Sequence, residues 1–381
     1  MQEKQYPFYF KSTVILFGLA LFTFILLTLR DILVPFAFSL IIAVLLNPLV
    51  NKFNAYGVKK VVSISLAMLI AFAIFWGILY FLSSQIVGFG ENFGLLKQKF
   101  SSILSGLQQW VQANFGMSIK KQITLVNEAL DSSKSLVGTT IGTALGTLTV
   151  VFIVPVYIFL LLFYKTLILN FLYEVFAEEN SKKVAEILGQ TKGAIQSYMV
   201  GLLLEALIVA TMNSIALLIL GVPYAILLGV IGALLNMLPY IGGIIAIALP
   251  VLMATVTKDG YSTQLGILIG YAIIQFIDNN FLIPKIVSSK VQINALVSIV
   301  VVLLGGALWG VSGMFLSIPF VAILKIIFDR VDDMKPWGKL LGDTVPTRHK
   351  GQIWPRKRKP AVSEKLIEKE SETVEQSPAS H

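Results

Sequence analysis

The chain has 381 residues, of which 56% are hydrophobic and 13% are charged, with a net charge of +9. Soluble domains carry about 25% charged residues, so this composition excludes a soluble globular protein and also a disordered one. The sequence has no cysteine, and its two histidines, His349 and His381, lie in the polar C-terminal part. Disulfide frameworks, thiolate metal sites and histidine-based catalysis in the apolar body are therefore excluded.

Eight apolar segments predict an all-α, polytopic helical membrane protein with about eight transmembrane segments. A helix needs about 20 apolar residues to cross about 30 Å of hydrocarbon, whereas outer-membrane barrels show alternating strands of about 10 residues. In chain order the segments are 12–29, 32–50, 61–87, 138–164, 198–220, 223–256, 264–283 and 295–328.

The basic residues predict how these segments are oriented. With the N-terminus in the cytoplasm, most of the 30 lysines and arginines fall on the cytoplasmic side, as the positive-inside rule requires. The first segment is too long for a cleaved signal, and no small-residue cleavage site precedes Arg30, so we expect a retained span. Both termini are expected in the cytoplasm.

Two segments, 223–256 and 295–328, are too long for simple spans, because about 34 helical residues extend about 51 Å. Each has an interruption rich in glycine and proline near its middle. Each is therefore either a kinked, tilted span or a re-entrant hairpin of two half-helices. The first interpretation gives eight crossings, and the second gives six crossings with two hairpins.

Interruptions of this kind point to a binding site, because the ends of half-helices bind ions and substrates in transporters. Glycine and proline are also common in ordinary membrane helices, so plain helix packing is the alternative. The residues that we expect to break helices along a substrate path are Pro239, Gly242, Gly243, Pro284, Gly310, Gly313 and Pro319.

Three polar regions lie between or after the apolar segments. Residues 89–137 have apolar side chains at spacings of three and four, which predicts an extracytoplasmic amphipathic helical insert. Residues 165–197 are predicted to be a cytoplasmic helical connector, and residues 331–381 a cytoplasmic tail that is largely disordered. The run Arg356-Lys357-Arg358-Lys359 indicates an orientation signal or a contact with anionic lipid, so no nucleic acid partner is expected.

Two carboxyl groups fall within the apolar body, Glu205 in the fifth segment and Asp278 near the end of the seventh. A charged side chain at the centre of a bilayer costs roughly 2.5–3.5 kcal/mol, and a carboxyl group lowers that cost by taking up a proton or a cation. The functional interpretation is a coupling site for a proton or cation. The alternative is a residue that only forms hydrogen bonds between helices or at the interface.

Further polar side chains accompany Asp278. Tyr271, Gln275 and Asp278 follow the spacing i, i+4, i+7 and therefore share one face of a helix. Asn279 and Asn280 add two amides at the end of that helix. A polar face of this kind is expected to contact protein or a water-filled path, so these five residues are candidates for transport or coupling.

Other kinds of chemistry are not indicated. Gly138, Gly142 and Gly146 recur every four residues, a small-residue pattern that predicts helix packing. The sequence has no phosphate-binding loop for ATP, no paired membrane aspartates and no membrane histidine. We therefore expect no enzyme activity, no cofactor and no metal site.

Four motifs in the C-terminal half, taken with their order and spacing, resemble the autoinducer-2 exporter family of membrane transporters. The motifs are LGVP at 220–223, LPYIGG at 238–243, DNNFLIPKI at 278–286 and GGALWGVSGMFLSIP at 305–319. The resemblance implies a bacterial inner-membrane protein that exports autoinducer-2 or exchanges sodium or lithium for protons. It also implies a homo-oligomer, in one branch a pentamer with elevator-like mobile elements.

Residues and resemblance together favour a secondary transporter of a small molecule or a cation/proton antiporter, embedded in the lipid bilayer. In this hypothesis Asp278, with Gln275 and Tyr271, binds or relays the coupling ion, and Glu205 is a second titratable group or a structural partner. The alternative function is a passive oligomeric pore or a membrane scaffold without coupled transport.

Overall fold

The computed structural model describes residues 7–91, 93–124, 144–175, 177–237, 242–287 and 293–343, and these residues form helices without any β-strand. The all-α prediction is therefore confirmed. The α-helices are α1 (Phe8–Thr28), α2 (Arg30–Ala55), α3 (Lys60–Glu91), α4 (Phe93–Phe115), α5 (Ala144–Phe163), α6 (Lys165–Val175), α7 (Ala177–Ile219), α8 (Ala225–Asn236), α9 (Gly242–Thr257), α10 (Ser262–Ile277), α11 (Ala295–Arg330) and α12 (Lys335–Leu341). A π-helix, Asp278–Val287, continues α10 directly, and a 3-10 turn, Asp332–Met334, precedes α12.

Six of these helices are long and apolar enough to cross a membrane: α1, α2, α3, α7, α10 with its π-helix, and α11. Helices α5 and α6 form a pair bent by 63°, which makes a seventh candidate if the pair is one span. Large apolar side chains cover the outer faces of α1 and α3, as contact with lipid requires. The chain is thus a multi-pass helical membrane protein.

The two described helices of the first interrupted segment, α8 and α9, pair as the arms of a hairpin, which we call hairpin 1 (residues 225–237 and 242–257). Gly242 at the start of α9 lies against the carbonyl group of Leu235, and Gly232 faces Ala246, so the two helices run antiparallel. Helices α8 and α9 have 12 and 16 residues, or about 18 and 24 Å, which is less than the thickness of the hydrocarbon core. Pro239, which was expected to break this segment, lies outside the described residues.

The second interrupted segment, α11, also turns back on itself, and we call it hairpin 2. Its backbone leaves the helical region at Trp309 and at Gly310, where φ is 62° and ψ is −142°, a conformation that favours glycine. Ser317 Oγ donates a hydrogen bond of 2.9 Å to the carbonyl oxygen of Val301, which joins the two arms. A side chain at Gly313 would overlap the carbonyl group of Gly305, so the arms pack at glycine distance.

Pro319 differs from the expectation that it interrupts a helix. It is buried inside the second arm of hairpin 2, and the helix continues through it to Arg330. Membrane helices tolerate an internal proline where neighbouring groups satisfy the freed carbonyl. The break in this segment therefore comes from Trp309 and Gly310 alone.

The two hairpins start from opposite ends of the long central helix α7. The base of hairpin 1 lies at the C-terminal end of α7, where Lys258 contacts Gly221. The base of hairpin 2 lies near the N-terminal end of α7, where Arg330 pairs with Glu186 at 3.4 Å. Since α11 is a hairpin, six of the seven candidate spans remain as crossings. Of the two topologies left open by the sequence, this geometry therefore favours six crossings with two re-entrant hairpins.

Helix α7 has 43 residues and joins part of the predicted connector to the fifth apolar segment without a break. It packs against α2 and hairpin 2 on one side and against hairpin 1 and α10 on the other. Helix α4 forms within the predicted insert, whose remainder beyond residue 124 lies outside the described residues, as do Gly138, Gly142 and the tail from residue 344. Gly146 lies in α5.

Candidate functional site

Asp278 lies at the junction of α10 and the π-helix and is only 1% exposed. Its Oδ2 atom accepts a hydrogen bond of 2.9 Å from Asn236 Nδ2 and a longer one of 3.5 Å from Gln275 Nε2. Asn236 is the last residue of α8, so the first of these bonds ties the tip of hairpin 1 to the seventh apolar segment. Asp278 is the first residue of this ten-residue π-helix, and π-helical geometry often occurs at functional sites.

Three residues in this region each carry a buried oxygen atom without a hydrogen-bond partner among the described residues: Asp278 Oδ1, Asn213 Oδ1 and the Tyr271 hydroxyl. All three residues line one cavity between α7, hairpin 1 and α10. The cavity offers about 10 Å³ to the centre of a water molecule, close to the roughly 10–15 Å³ that one water or small ion needs. Since buried polar atoms in proteins are normally paired, these oxygens are poised to bind something small.

Glycine residues bring hairpin 1 close enough to form this cavity. A Cβ atom on Gly232 would lie 3.4 Å from Asn213 Nδ2 and 3.6 Å from the Tyr271 hydroxyl. A Cβ atom on Gly243 would lie 3.3 Å from Gln275 Oε1. Larger side chains at either position would press into the polar side chains of the site.

Glu205 supplies the second carboxyl group and is 5% exposed on α7. It lies close enough to Asp278 and to Tyr198 for electrostatic interaction. Glu205 and Asn213 are eight residues apart and therefore share one face of α7. The central helix thus brings an acid and an amide to the same region of the molecule.

The structure separates the predicted site residues into two groups. Asp278, Gln275, Tyr271 and Gly243 line the cavity, and Glu205 lies nearby. Asn279 is exposed at the rim, where its Oδ1 atom accepts a hydrogen bond of 3.2 Å from Gln275 Nε2.

The remaining candidates lie away from the cavity. Asn280 is exposed and donates a hydrogen bond to the carbonyl oxygen of Phe276, and Pro284 is exposed within the π-helix. Gly310 and Gly313 shape hairpin 2. Gly242 packs against α8, where it fixes the approach of the two arms of hairpin 1.

Two residues of the site, Asn213 and Asn236, were not anticipated. Asn236 lies two residues before the LPYIGG interruption, and a polar residue at such a break is a usable signal. Asn213 stands on the same helical face as Glu205 within an apolar segment, and that spacing would have identified it.

The cavity offers oxygen ligands from one carboxyl group, side-chain amides and a phenol, and the second carboxyl group, that of Glu205, lies outside its lining. Such a set suits a proton or a hard cation, because transition metals prefer imidazole and thiolate ligands. Within the described part of the chain, no group of three or more histidine, cysteine, aspartate or glutamate residues is placed to hold a metal ion.

The chain is similar to a family of known proteins over most of its length. Residues 13–333 match the family described as AI-2E family transporter. The chain is 29% identical over 322 residues to the AI-2 transport protein TqsA of Escherichia coli K12, covering 82% of this chain and 90% of TqsA. It is 26% identical over 317 residues to YrrI of Bacillus subtilis 168, which is named only provisionally as a transport protein, covering 79% of this chain and 87% of YrrI. With its family match extending over most of the chain, the protein is a member of the AI-2E transporter family.

Proposed function

We propose that this protein is a secondary transporter of a small solute, coupled to a proton or a monovalent cation that binds at Asp278. One observation carries the proposal. Asp278 bonds to Asn236 at the end of α8 through one carboxylate oxygen, while its other oxygen has no hydrogen-bond partner among the described residues and belongs to a cavity lined also by Asn213 and Tyr271. A group that binds both a hairpin and an ion can make the position of one depend on the presence of the other.

The coupling follows from the charges at the site. With no ion bound, Asp278 and Glu205 repel each other when both are ionised, and hairpin 1 is held by the hydrogen bond from Asn236. A bound proton or cation neutralises this repulsion and weakens the charge-assisted hydrogen bond to Asn236. The tip of hairpin 1 is then free to move, and a ligand shifts such an equilibrium by its difference in affinity for the two positions.

The solute path that we propose follows an open groove of about 450 Å³ between α2, α7 and the π-helix. Gln196, Gly201, Leu204 and Lys285 are among its lining residues. The groove shares no lining residue with the cavity at Asp278, and both features are built on α7. Its size falls within the roughly 300–1,000 Å³ of small-molecule sites, and the name of TqsA makes autoinducer-2 the first solute to test.

The proposed orientation places the end of the bundle that carries Lys52, Lys60, Lys183 and Lys335 in the cytoplasm of a bacterial cell, with the protein in the inner membrane. Both termini are then cytoplasmic. The exposed apolar faces of α1 and α3 would contact lipid and further copies of the chain in a homo-oligomer, which we propose by resemblance to be a pentamer.

The test compares Asp278→Asn with the wild-type protein in liposomes. Flux is measured with an internal pH-sensitive dye under an imposed sodium gradient and with labelled autoinducer-2. We expect coupled flux to fall at least tenfold, because asparagine keeps the shape and the hydrogen-bond acceptor but cannot titrate. The matched control is Asp259→Asn, which removes an exposed carboxylate in the loop after hairpin 1 and should keep full flux.

Wild-type coupled flux in the Asp278→Asn protein would refute the coupling role of this residue. An electrical current that is independent of sodium and proton gradients, equal in both proteins, would instead support the passive pore.

A further inference from the structure

Three lysine residues from three different helices lie within electrostatic range of one another at the end of the bundle where α2 ends and α3 begins. They are Lys60 at the start of α3, Lys165 at the start of α6 and Lys192 on α7. Lys165 Nζ donates a hydrogen bond of 2.9 Å to Asn47 Oδ1, and the charges of Lys60 and Lys192 are close enough to repel Lys165. We call this group, together with Asn47, the lysine cluster.

The lysine cluster lacks a negative partner within the described part of the chain. Lysines elsewhere at this end of the bundle do have one: Lys183 and Lys335 pair with Asp332, and Lys325 pairs with Asp329. Three converging cations without a carboxylate repel one another, and an anion between them would remove that repulsion. The charge pattern therefore points to an anionic ligand.

Asn47 gives a second and independent indication. It is 5% exposed, and its Nδ2 atom is buried without an acceptor among the described residues. The hydrogen bond from Lys165 fixes which side of the amide is oxygen, so the unpaired atom is an N–H donor. A buried donor beside three cations is the complement of an anion that carries several acceptor oxygens.

The start of two helices adds to this complementarity. Helices α3 and α6 begin at Lys60 and Lys165, and the first N–H groups of a helix favour phosphate-type anions. Lys60 Nζ lies 5.2 Å from the centre of the Phe163 ring at the end of α5, which keeps this lysine at the level where the apolar span ends. The cluster thus lies at the depth of lipid headgroups.

The exposed surface of helix α6 favours a lipid over a free anion as the ligand. It bends by 63° away from α5 immediately at the lysine cluster, and it exposes Leu167, Ile168 and Phe171. An inorganic anion has no apolar part that could cover this strip, whereas the acyl chains of a phospholipid could bury it. The cluster and the strip together match a molecule with a charged head and an apolar tail.

We propose that Lys60, Lys165, Lys192 and Asn47 bind the phosphate headgroup of an anionic phospholipid, whose acyl chains lie along α6. This site is separate from the ion site at Asp278 and does not depend on the transport proposal. A lipid bound there contacts α2, α3, α6 and α7 at one end of the bundle. Its main effect is therefore to stabilise the packing of these four helices.

The test measures binding of dioleoylphosphatidylglycerol to the full chain by native mass spectrometry, with dioleoylphosphatidylcholine as the neutral lipid. We expect the double variant Lys165→Gln/Lys192→Gln to bind phosphatidylglycerol at least tenfold more weakly. The control Lys182→Gln/Lys339→Gln removes the same charge from exposed lysines at the same end and should change the affinity less than twofold. Equal loss in both double variants would overturn the site, because net charge alone would then explain binding.

A second variant tests the proposal even if the double variant folds poorly. Asn47→Asp places a carboxylate inside the lysine cluster, where it should raise the thermal unfolding temperature of the lipid-free protein and abolish its stabilisation by phosphatidylglycerol. Millimolar inorganic phosphate should not reproduce the stabilisation of the wild-type protein. Full stabilisation by inorganic phosphate would overturn the assignment to a lipid, and undiminished stabilisation of Asn47→Asp by phosphatidylglycerol would overturn the site.

Discussion

The two carboxylate oxygens of Asp278 differ in their hydrogen bonding. One accepts a hydrogen bond from Asn236, and the other has no hydrogen-bond partner among the described residues. The sequence identified Asp278, Gln275 and Tyr271, because one helix and one spacing relate them. It could not identify the meeting with Asn236, which is 42 residues away along the chain and comes from another helix. Side chains from different helices become neighbours only through packing.

The hydrogen bond from Asn236 can be tested on its own. Hydrogen bonds to charged groups contribute about 1.5–3 kcal/mol, so Asn236→Ala should weaken the coupling of flux to the ion roughly tenfold or more. The measurement is the dependence of flux on sodium concentration and pH in liposomes. The control is Asn280→Ala, because that amide bonds only to the carbonyl oxygen of Phe276 on an exposed surface. A loss of the same size in both variants would contradict the special role of Asn236.

The two hairpins are the elements that distinguish this fold from a simple bundle of spans. The length and composition of these two segments predicted an interruption in each. A kinked span and a hairpin have the same composition, however, so the sequence did not separate them. The choice between them rests on contacts between arms, such as Ser317 with Val301 and Gly313 with Gly305. Close packing of glycine backbones replaces the apolar side-chain contacts that hold most helix pairs together.

Gly313 is the clearest test of hairpin 2. In Gly313→Ala the new methyl group would overlap the carbonyl group of Gly305, and forced overpacking costs about 1–3 kcal/mol. We expect the thermal unfolding temperature in detergent to fall accordingly. Gly77→Ala on α3 is the matched control, because among the described residues no side chain and no other helix comes within 4 Å of the added methyl group. A fully stable Gly313→Ala protein would mean that the two arms do not pack as described.

At the largest scale, the helical bundle formed by the described residues up to 343 has two distinct ends. At one end, Lys183 and Lys335 pair with Asp332 beside the base of hairpin 2. The hydrogen bond from Lys335 and the charges of Lys335 and Lys183 lower the pKa of Asp332, so its carboxyl group is ionised throughout the neutral range. The base of hairpin 1 lies at the opposite end of α7, beside Gly221. The bundle therefore has one hairpin entering from each end.

This arrangement predicts where Lys258 lies in a living cell. In Lys258→Cys, which introduces the sole cysteine of the chain, a membrane-impermeant maleimide added to intact cells should label the protein. Lys335→Cys, at the other end, should be labelled only after the cells are opened. With eight full crossings Lys258 would be cytoplasmic, so protection of Lys258→Cys in intact cells would contradict the two-hairpin topology.

The sequence by itself determined the helical membrane class, the apolar segments and the polar face around Asp278, because hydrophobicity and helical spacing are local properties. It left each of the two interrupted segments with two possible structures, a kinked span or a re-entrant hairpin. Only the tertiary structure decided that these segments are hairpins from opposite ends, that Asn213 and Asn236 join Asp278, and that Lys165 bonds to Asn47. Those features depend on which helices touch, and contacts between distant segments are a property of packing rather than of any one stretch of chain.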